Sequence, residues 1–182
     1  LHCAGVVDDC AIAKQNTERL QRAFEPKVAG SWNLHRLLSD SGRRVTIFVL
    51  FSSVSAVLGA FGQANYAAAN AFMDGLAKMR AQRGMAALSV RWGAWGDVGM
   101  ATAAVVARGL GHSGHIPLRP STGVECLEWL LQHQTYLVGP ELRAADPGAF
   151  DVQWEKILER STRPQALLSL MAAEVNALAA DR

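Results

Sequence analysis

No stretch of the 182-residue chain approaches the roughly 20 consecutive apolar residues that a membrane-spanning helix needs, so the sequence predicts no membrane partner. No charge of one sign dominates. Eighteen lysines and arginines are interspersed with sixteen aspartates and glutamates, a formal charge of +2, which gives no nucleic-acid signal. Cysteine is scarce: Cys3, Cys10 and Cys126 are odd in number and lack CxxC spacing. That speaks against a disulfide framework and reads as reduced thiols of a cytoplasmic protein. A metal centre is not predicted. His112 and His115 have no evident third ligand, and nothing near Asp8 and Asp9 completes a site. The literal GxGxxG of Gly109 to Gly114 is no dinucleotide fingerprint: no convincing strand precedes it, and Pro117 and Pro120 preclude a long helix after it. Half of the residues are hydrophobic, enough for one domain with a sizeable core and too many for a disordered chain.

The chain is organised around residues 51–77. An apolar run from Val45 to Phe51, ended by two serines, predicts a strand at 44–51 buried on both faces. Gly59 and Gly62 punctuate the loop after it, and a helix is predicted from Gln63 to Gly84, where the glycine supplies a C-terminal stop. Tyr66 and Asn70 are four apart and share a face of that helix. Ser53 precedes Tyr66 by thirteen positions, at the carboxyl end of the strand, the side on which open α/β sheets bind ligands.

A serine hydroxyl and a phenol at one crevice suit the reduction of a ketone. Hydride addition leaves negative charge on the carbonyl oxygen, which the phenol can protonate and the hydroxyl can hydrogen-bond. A free tyrosine has a pKa of about 10, so a nearby cation would help it toward working pH. Lys27 is the candidate, although a lone lysine is ordinarily a solvated surface residue.

Ser53, Tyr66 and Asn70, with Lys27 upstream, resemble the ketoreductase domain of type I modular polyketide synthases, a branch of the short-chain dehydrogenase/reductase superfamily. Most of that superfamily carries lysine four residues after the tyrosine; synthase ketoreductases carry asparagine there and take lysine from an upstream helix. The resemblance continues in Leu1-His2-Cys3-Ala4-Gly5-Val6, in Val7-Asp8-Asp9 and in Val90-Arg91-Trp92-Gly93-Ala94-Trp95-Gly96, over about residues 1–155. It implies the second half of a Rossmann-like, doubly wound parallel α/β sheet. It also implies NADPH as cofactor, with Ala4, Gly5, Trp92 and Gly93 against it; Trp92 and Trp95 equally suit packing. Tyr66 would donate the proton, Ser53 would hold the carbonyl oxygen, Lys27 would lower the Tyr66 pKa, and Asn70 would order the Lys27–Tyr66 geometry.

By the same resemblance Asp8 and Asp9 mark the B type, which sets the D configuration at the new hydroxyl. The Trp of the opposite class, eight residues before the tyrosine, is Leu58 here, and Met100 falls near the substrate entrance. Read without the resemblance, Asp8 and Asp9 only cap the helix that follows. Leu1 falls in mid-motif, which leads to the expectation of a piece of a longer polypeptide, cut after the glycine-rich cofactor turn and inactive by itself. The implied partners are neighbouring synthase domains and an acyl carrier domain bearing a phosphopantetheine-linked β-ketoacyl chain. A reductively silent scaffold is the rival from another class, and a free-standing dehydrogenase is a third reading.

Along the rest of the chain, residues 17–40 read as mainly helical, with Leu20, Phe24, Val28, Trp32 and Leu37 on the apolar face and Asn33, His35 and Arg36 outside. His2 reads as a structural histidine. Phe72, Leu76 and Met79 are predicted core, and Ala87 to Trp92 the next buried strand. Residues 97–115 form a candidate lid. A helix follows over 121–134, capped by Ser121 or Thr122, with Val124, Leu127, Leu130 and Leu131 inward. Tyr136 to Gly139 read as the last strand, and Phe150 and Trp154 as anchors closing a domain at 1–159. Residues 160–182 read as a linker and an amphipathic helix leading toward a carrier domain.

Overall fold

The computed structural model describes residues 1–96, 98–102, 115–137, 148–149 and 151–152; at 101–102, 133–137, 148–149 and 151–152 only the backbone is described. Most of the expected lid, with His112, lies outside those residues. So do Val138, Gly139, Phe150, Trp154 and the 160–182 helix.

The elements run in an α/β order. Helix α1 (Thr17–Phe24) is followed by a five-residue π-turn (Glu25–Ala29) and α2 (Gly30–Asp40). Strand β1 (Val49–Ser53), a short α3 (Ser55–Leu58), α4 (Ala64–Gln82) and β2 (Leu88–Trp92) come next. A 3-10 turn (Gly99–Thr102), β3 (His115–Ile116), α5 (Pro120–Leu137), β4 (Gly148–Ala149) and β5 (Asp151–Val152) complete the described chain. β1, β2 and β4 form a parallel sheet in that spatial order, with Ser53 opposite Trp92; β3 and β5 pair antiparallel. Residue 2 lies along the other edge of β1: His2 N–H donates to Val49 O at 2.8 Å and Phe51 N–H to His2 O at 3.0 Å. No helix among the described residues is long and apolar enough to cross a membrane.

β1 and β2 are packed on both faces, as strands of parallel sheets are. Alternate residues of β1 supply the two cores. Val49 and Phe51 join Leu88, Val90, Trp92, Leu118 and Leu130 on one side. Phe48 and Leu50 join Met73, Leu76 and Ala77 of α4 on the other. Helix α5 closes against Trp95 through Gly123, where an added Cβ would lie 2.6 Å from Trp95 Cζ3. Glycine to alanine inside a helix ordinarily stabilises by about 1 kcal/mol. Here the ring blocks it, and we expect Gly123→Ala to destabilise by about 1–3 kcal/mol, read as a lowered denaturation midpoint.

The structure corrects several expectations. Strand β1 begins at Val49 rather than at 44 and runs through both serines. Helix α4 ends as predicted, with Gly84 at φ +69°. Phe72 is 36% exposed, whereas Leu76 is buried and Met79 packs against the core. Helix α5 starts at Pro120, which places Ser121 and Thr122 inside its first turn, and continues through Tyr136 and Leu137, which are therefore helix and not strand. Val124 is 58% exposed; Leu127, Leu130 and Leu131 do pack inward. Asp8 and Asp9 do not cap α1; Asn16 does, its side chain accepting from Arg19 N–H at 2.9 Å.

The largest correction concerns 17–40. Leu20, Trp32 and Leu37 are 39%, 41% and 65% exposed, and His35, expected outside, is buried. The buried residues are Ala23, Lys27, Ser31 and His35, a stripe of small and polar side chains offset by one position from the apolar one, both before the π-turn and after it. His35 instead accepts from Arg80 through Nδ1 at 2.9 Å. The buried Arg80 guanidinium lies over the Phe48 ring at 3.8 Å and donates to Ala86 O. Burial first, then the Arg80 and Arg83 charges, lower the His35 pKa, in keeping with a neutral ring acting as acceptor.

Candidate active site

Tyr66 enters the site from the first turn of α4, where Asn65 Oδ1 accepts from its backbone N–H at 2.8 Å. Asn65 Nδ2 in turn donates to Asp8 O at 3.0 Å and Arg19 O at 3.2 Å, which ties this end of α4 to the 7–10 loop and α1. Tyr66 is 8% exposed. Burial raises its pKa, the Asn70 side chain opposes that, and the Asp9 charge adds to it; the phenol therefore holds its proton at neutral pH. One turn on, Asn70 Nδ2 donates to Tyr66 O at 2.8 Å, and Asn70 Oδ1 is buried without a hydrogen-bond partner.

Lys27 arrives from the π-turn. It is 2% exposed, so the surface-lysine reading fails. Its Nζ donates to Phe51 O at 3.0 Å and lies 5.2 Å from the centroid of the Tyr66 ring. Burial lowers its pKa to about 8, while Cys3 and Asp74 act to raise it. Between pH 8 and 10.5 the unfolded chain therefore binds more protons at this position than the folded one, and folding stability rises with pH across that window. The burial cost is fully present below pH 8 and gone above 10.5. Denaturation midpoints from pH 7 to 10.5 should climb relative to those of Lys27→Met, whose curve lacks this component.

Gly5 makes room for the amine. A Cβ there would stand 2.9 Å from Lys27 Cε, 3.3 Å from Nζ and 3.6 Å from Met100 Cε. The structure thus brings Gly5, Lys27, Tyr66, Asn70 and Met100 to one place. Met100 is 45% exposed at the rim, and Ala4 is exposed beside Gly5. Ser53 stands at the carboxyl end of β1, where the strand turns into α3; its Oγ accepts from Ser55 N–H at 3.2 Å and Ser55 Oγ–H at 3.0 Å. These bonds stay within its own turn rather than reaching Tyr66.

The other candidates are more dispersed. Trp92 ends β2 and is buried, in tilted ring contacts with Phe51 at 5.3 Å and Trp95 at 5.0 Å, with Nε1 lacking a partner; packing is its visible role. Gly93 follows it, half-buried. Asp8 is bound in ion pairs with Arg19 and with Arg22 at 3.2 Å. Asp9 is exposed and accepts from Gln63 Nε2 at 3.0 Å. Leu58 is half-buried at the end of α3. No group of three or more His, Cys, Asp or Glu that could hold a metal occurs among the described residues.

Two features escaped sequence reasoning. One is the Phe51 carbonyl, a main-chain group with no sequence signal. The other is Asp74, 5% exposed on α4, which accepts from Ser89 Oγ at 2.6 Å and Arg91 Nε at 2.8 Å on β2. Its spacing of four from Asn70 was a usable signal.

A family model, the KR domain, matches residues 1–97. The chain is 52% identical over 102 residues to chalcone synthase cfoA of Aspergillus candidus, covering 56% of this chain and 4% of that one. It is 48% identical over 110 residues to the spectinabilin polyketide synthase system protein NorB of Streptomyces orinoci, covering 60% and 5%. A solved structure of A-type ketoreductases from a modular polyketide synthase superposes with a TM-score of 0.84 at 35% identity, over 97% of this chain and 35% of that one. The chain thus spans about a twentieth of the length of these curated relatives and about a third of that structure. A parallel α/β sheet, the family match and the superposition agree: the chain belongs to the ketoreductase domain family of polyketide synthases, with the Rossmann fold of the short-chain dehydrogenase/reductases.

Proposed function

We propose that the protein reduces a carrier-bound β-ketoacyl thioester to the β-hydroxyacyl thioester in polyketide biosynthesis, with NADPH as reductant. One observation carries the reading: a buried ammonium from the π-turn lies 5.2 Å from the ring centroid of a buried tyrosine on α4. The residues suit a nicotinamide cofactor, whose family role follows from the fold. Gly5 leaves a bare backbone against which the Lys27 side chain packs, and Ala4, Gly5, Trp92 and Gly93 would form the cofactor's surroundings. When bound, the cofactor supplies a hydride to the ketone carbon.

The protein's own part is at the oxygen. The Ser53 hydroxyl donates a hydrogen bond to the carbonyl oxygen, and the Tyr66 phenol passes its proton to the same atom as charge develops there. Lys27 stabilises the phenolate left behind, offsetting the burial that otherwise opposes it. Asn70 holds the turn of α4 under Tyr66 through its bond to Tyr66 O.

Asp8, Asp9, Leu58 and Met100 form the proposed stereocontrol set, and the proposed product has the D configuration. Its support is the Asp8-Asp9 pair held beside α4 by Asn65 and Gln63, together with Leu58 where the opposite class has Trp. The A-type description belongs to the superposed structure. The proposed partners are an acyl carrier domain and neighbouring synthase domains, and the proposed location is the cytoplasm. The domain division at 159/160 remains part of this proposal. Incubating the full-length protein with a β-ketoacyl thioester and either NADPH or NADH tests the reading. NADPH consumption with formation of the D-hydroxy product is expected. No reduction would overturn the activity, and an L-hydroxy product would overturn the stereochemistry alone.

A further inference from the structure

His2 has no part in the proton transfer, yet its contacts converge on Lys27 from two directions. The first is through the π-turn. Gly30 N–H is shared between Glu25 O, five residues back, and Lys27 O, three back; in an uninterrupted α-helix it would donate to Pro26 O. That displaced Pro26 carbonyl accepts instead from His2 Nε2 at 2.9 Å. The ring also lies close to Gly30, the first residue of α2: a Cβ there would lie 3.2 Å from His2 Cε1 and 3.5 Å from Nε2. Gly30 has ordinary helical angles, φ −59° and ψ −51°, so its backbone does not demand glycine; the ring demands the space.

The second direction is through the main chain. His2 pairs with β1 on either side of Leu50, accepting from Phe51 N–H at 3.0 Å. Phe51 is the residue whose carbonyl receives Lys27 Nζ. One residue therefore fixes the root of the lysine with its side chain and the acceptor at its tip with its backbone.

We propose that His2 is a positioning residue for Lys27: its Nε2–H occupies the Pro26 carbonyl, keeps the π-turn open and so holds the amine against Tyr66. The inference rests on the reading of Lys27 as the cation that governs Tyr66. Without the imidazole, Pro26 O competes for Gly30 N–H, and relaxation toward regular helix rotates the residues after the turn relative to α1. A π-turn is a less regular arrangement that persists where surrounding structure maintains it, commonly at functional sites. Burial lowers the His2 pKa, the Pro26 bond opposes that and the Lys27 charge adds to it, in keeping with a neutral ring carrying its proton on Nε2.

The test uses the full-length protein and the variants His2→Ala, His2→Gln and Lys27→Ala. Two readouts are taken: kcat against pH with a β-ketoacyl thioester and NADPH, and competitive acetylation of Lys27 by acetic anhydride across pH without cofactor, read by mass spectrometry. His2→Ala is expected to lower kcat by about 10- to 100-fold, the usual scale for a misplaced catalytic group. It should also speed Lys27 labelling and move the lysine's titration toward that of an exposed amine. His2→Gln, whose amide can still donate to Pro26 O, should recover part of both. Parent-like labelling and pH profile in His2→Ala would overturn the proposal. If Lys27→Ala retains full kcat, the reading of Lys27 is wrong, while the labelling arm still decides whether His2 holds it. Should His2→Ala fail to fold, Gly30→Val displaces the ring from the helix side; faster labelling then supports the clamp and unchanged labelling overturns it.

Discussion

Tyr66→Phe should lower kcat for ketone reduction by about 10²–10⁴-fold, the range for loss of a positioned general acid. The denaturation midpoint should stay close to that of the parent. The phenylalanine ring fills the same buried volume and still faces the Lys27 ammonium, so packing and the 5.2 Å cation–ring contact survive. What disappears is the proton. In the parent the rate should also fall as pH rises through about 8, where Lys27 loses its charge; in Tyr66→Phe the residual rate should lose that dependence. Near-parental turnover in Tyr66→Phe would remove the phenol from the reaction altogether.

Asp74→Ala should be the most damaging change to stability, about 3–5 kcal/mol, the cost of breaking a buried ion pair by removing one partner. The carboxylate joins α4 to β2 through two oxygens, one bound to Ser89 Oγ and the other to Arg91 Nε. Ser89 is 1% exposed and would keep a buried hydroxyl without this acceptor. Asp74→Asn retains an oxygen for Ser89 and should lose less. Urea denaturation measures both. Asp74 also raises the Lys27 pKa, so either variant should shift the alkaline fall of the rate to lower pH. Equal stability of Asp74→Ala and the parent would exclude the pair as a structural anchor.

The candidate site could be assembled from the sequence because its residues stand in local spacings. Tyr66 and Asn70 share a helical face, Ser53 ends a strand, and Lys27 stands at the position that the family resemblance singles out. The two-faced burial of β1 was equally plain from its unbroken apolar run. The failures have a common physical origin in distant contacts. Over 17–40 the buried stripe is Ala23, Lys27, Ser31 and His35; its lysine and histidine are held inside by Phe51 O and Arg80 on other elements, so a count of apolar residues settles one position away. Tyr136 and Leu137 belong to a short apolar run, which periodicity does not assign to strand or helix. Asp74 drew no reading from the sequence because its partners, Arg91 and Ser89, reach it from another element.

The five residues 25–29 also bear on how sequences of this kind are to be compared. Removal of any of them but Lys27 would favour a smooth coil of backbone hydrogen bonds and would leave the serine, tyrosine, asparagine and lysine all spelled out. A register of matching letters would then score such a protein as intact. Its amine, however, would emerge at a different angle, and the loss would show only as a one-position gap in an otherwise faultless alignment.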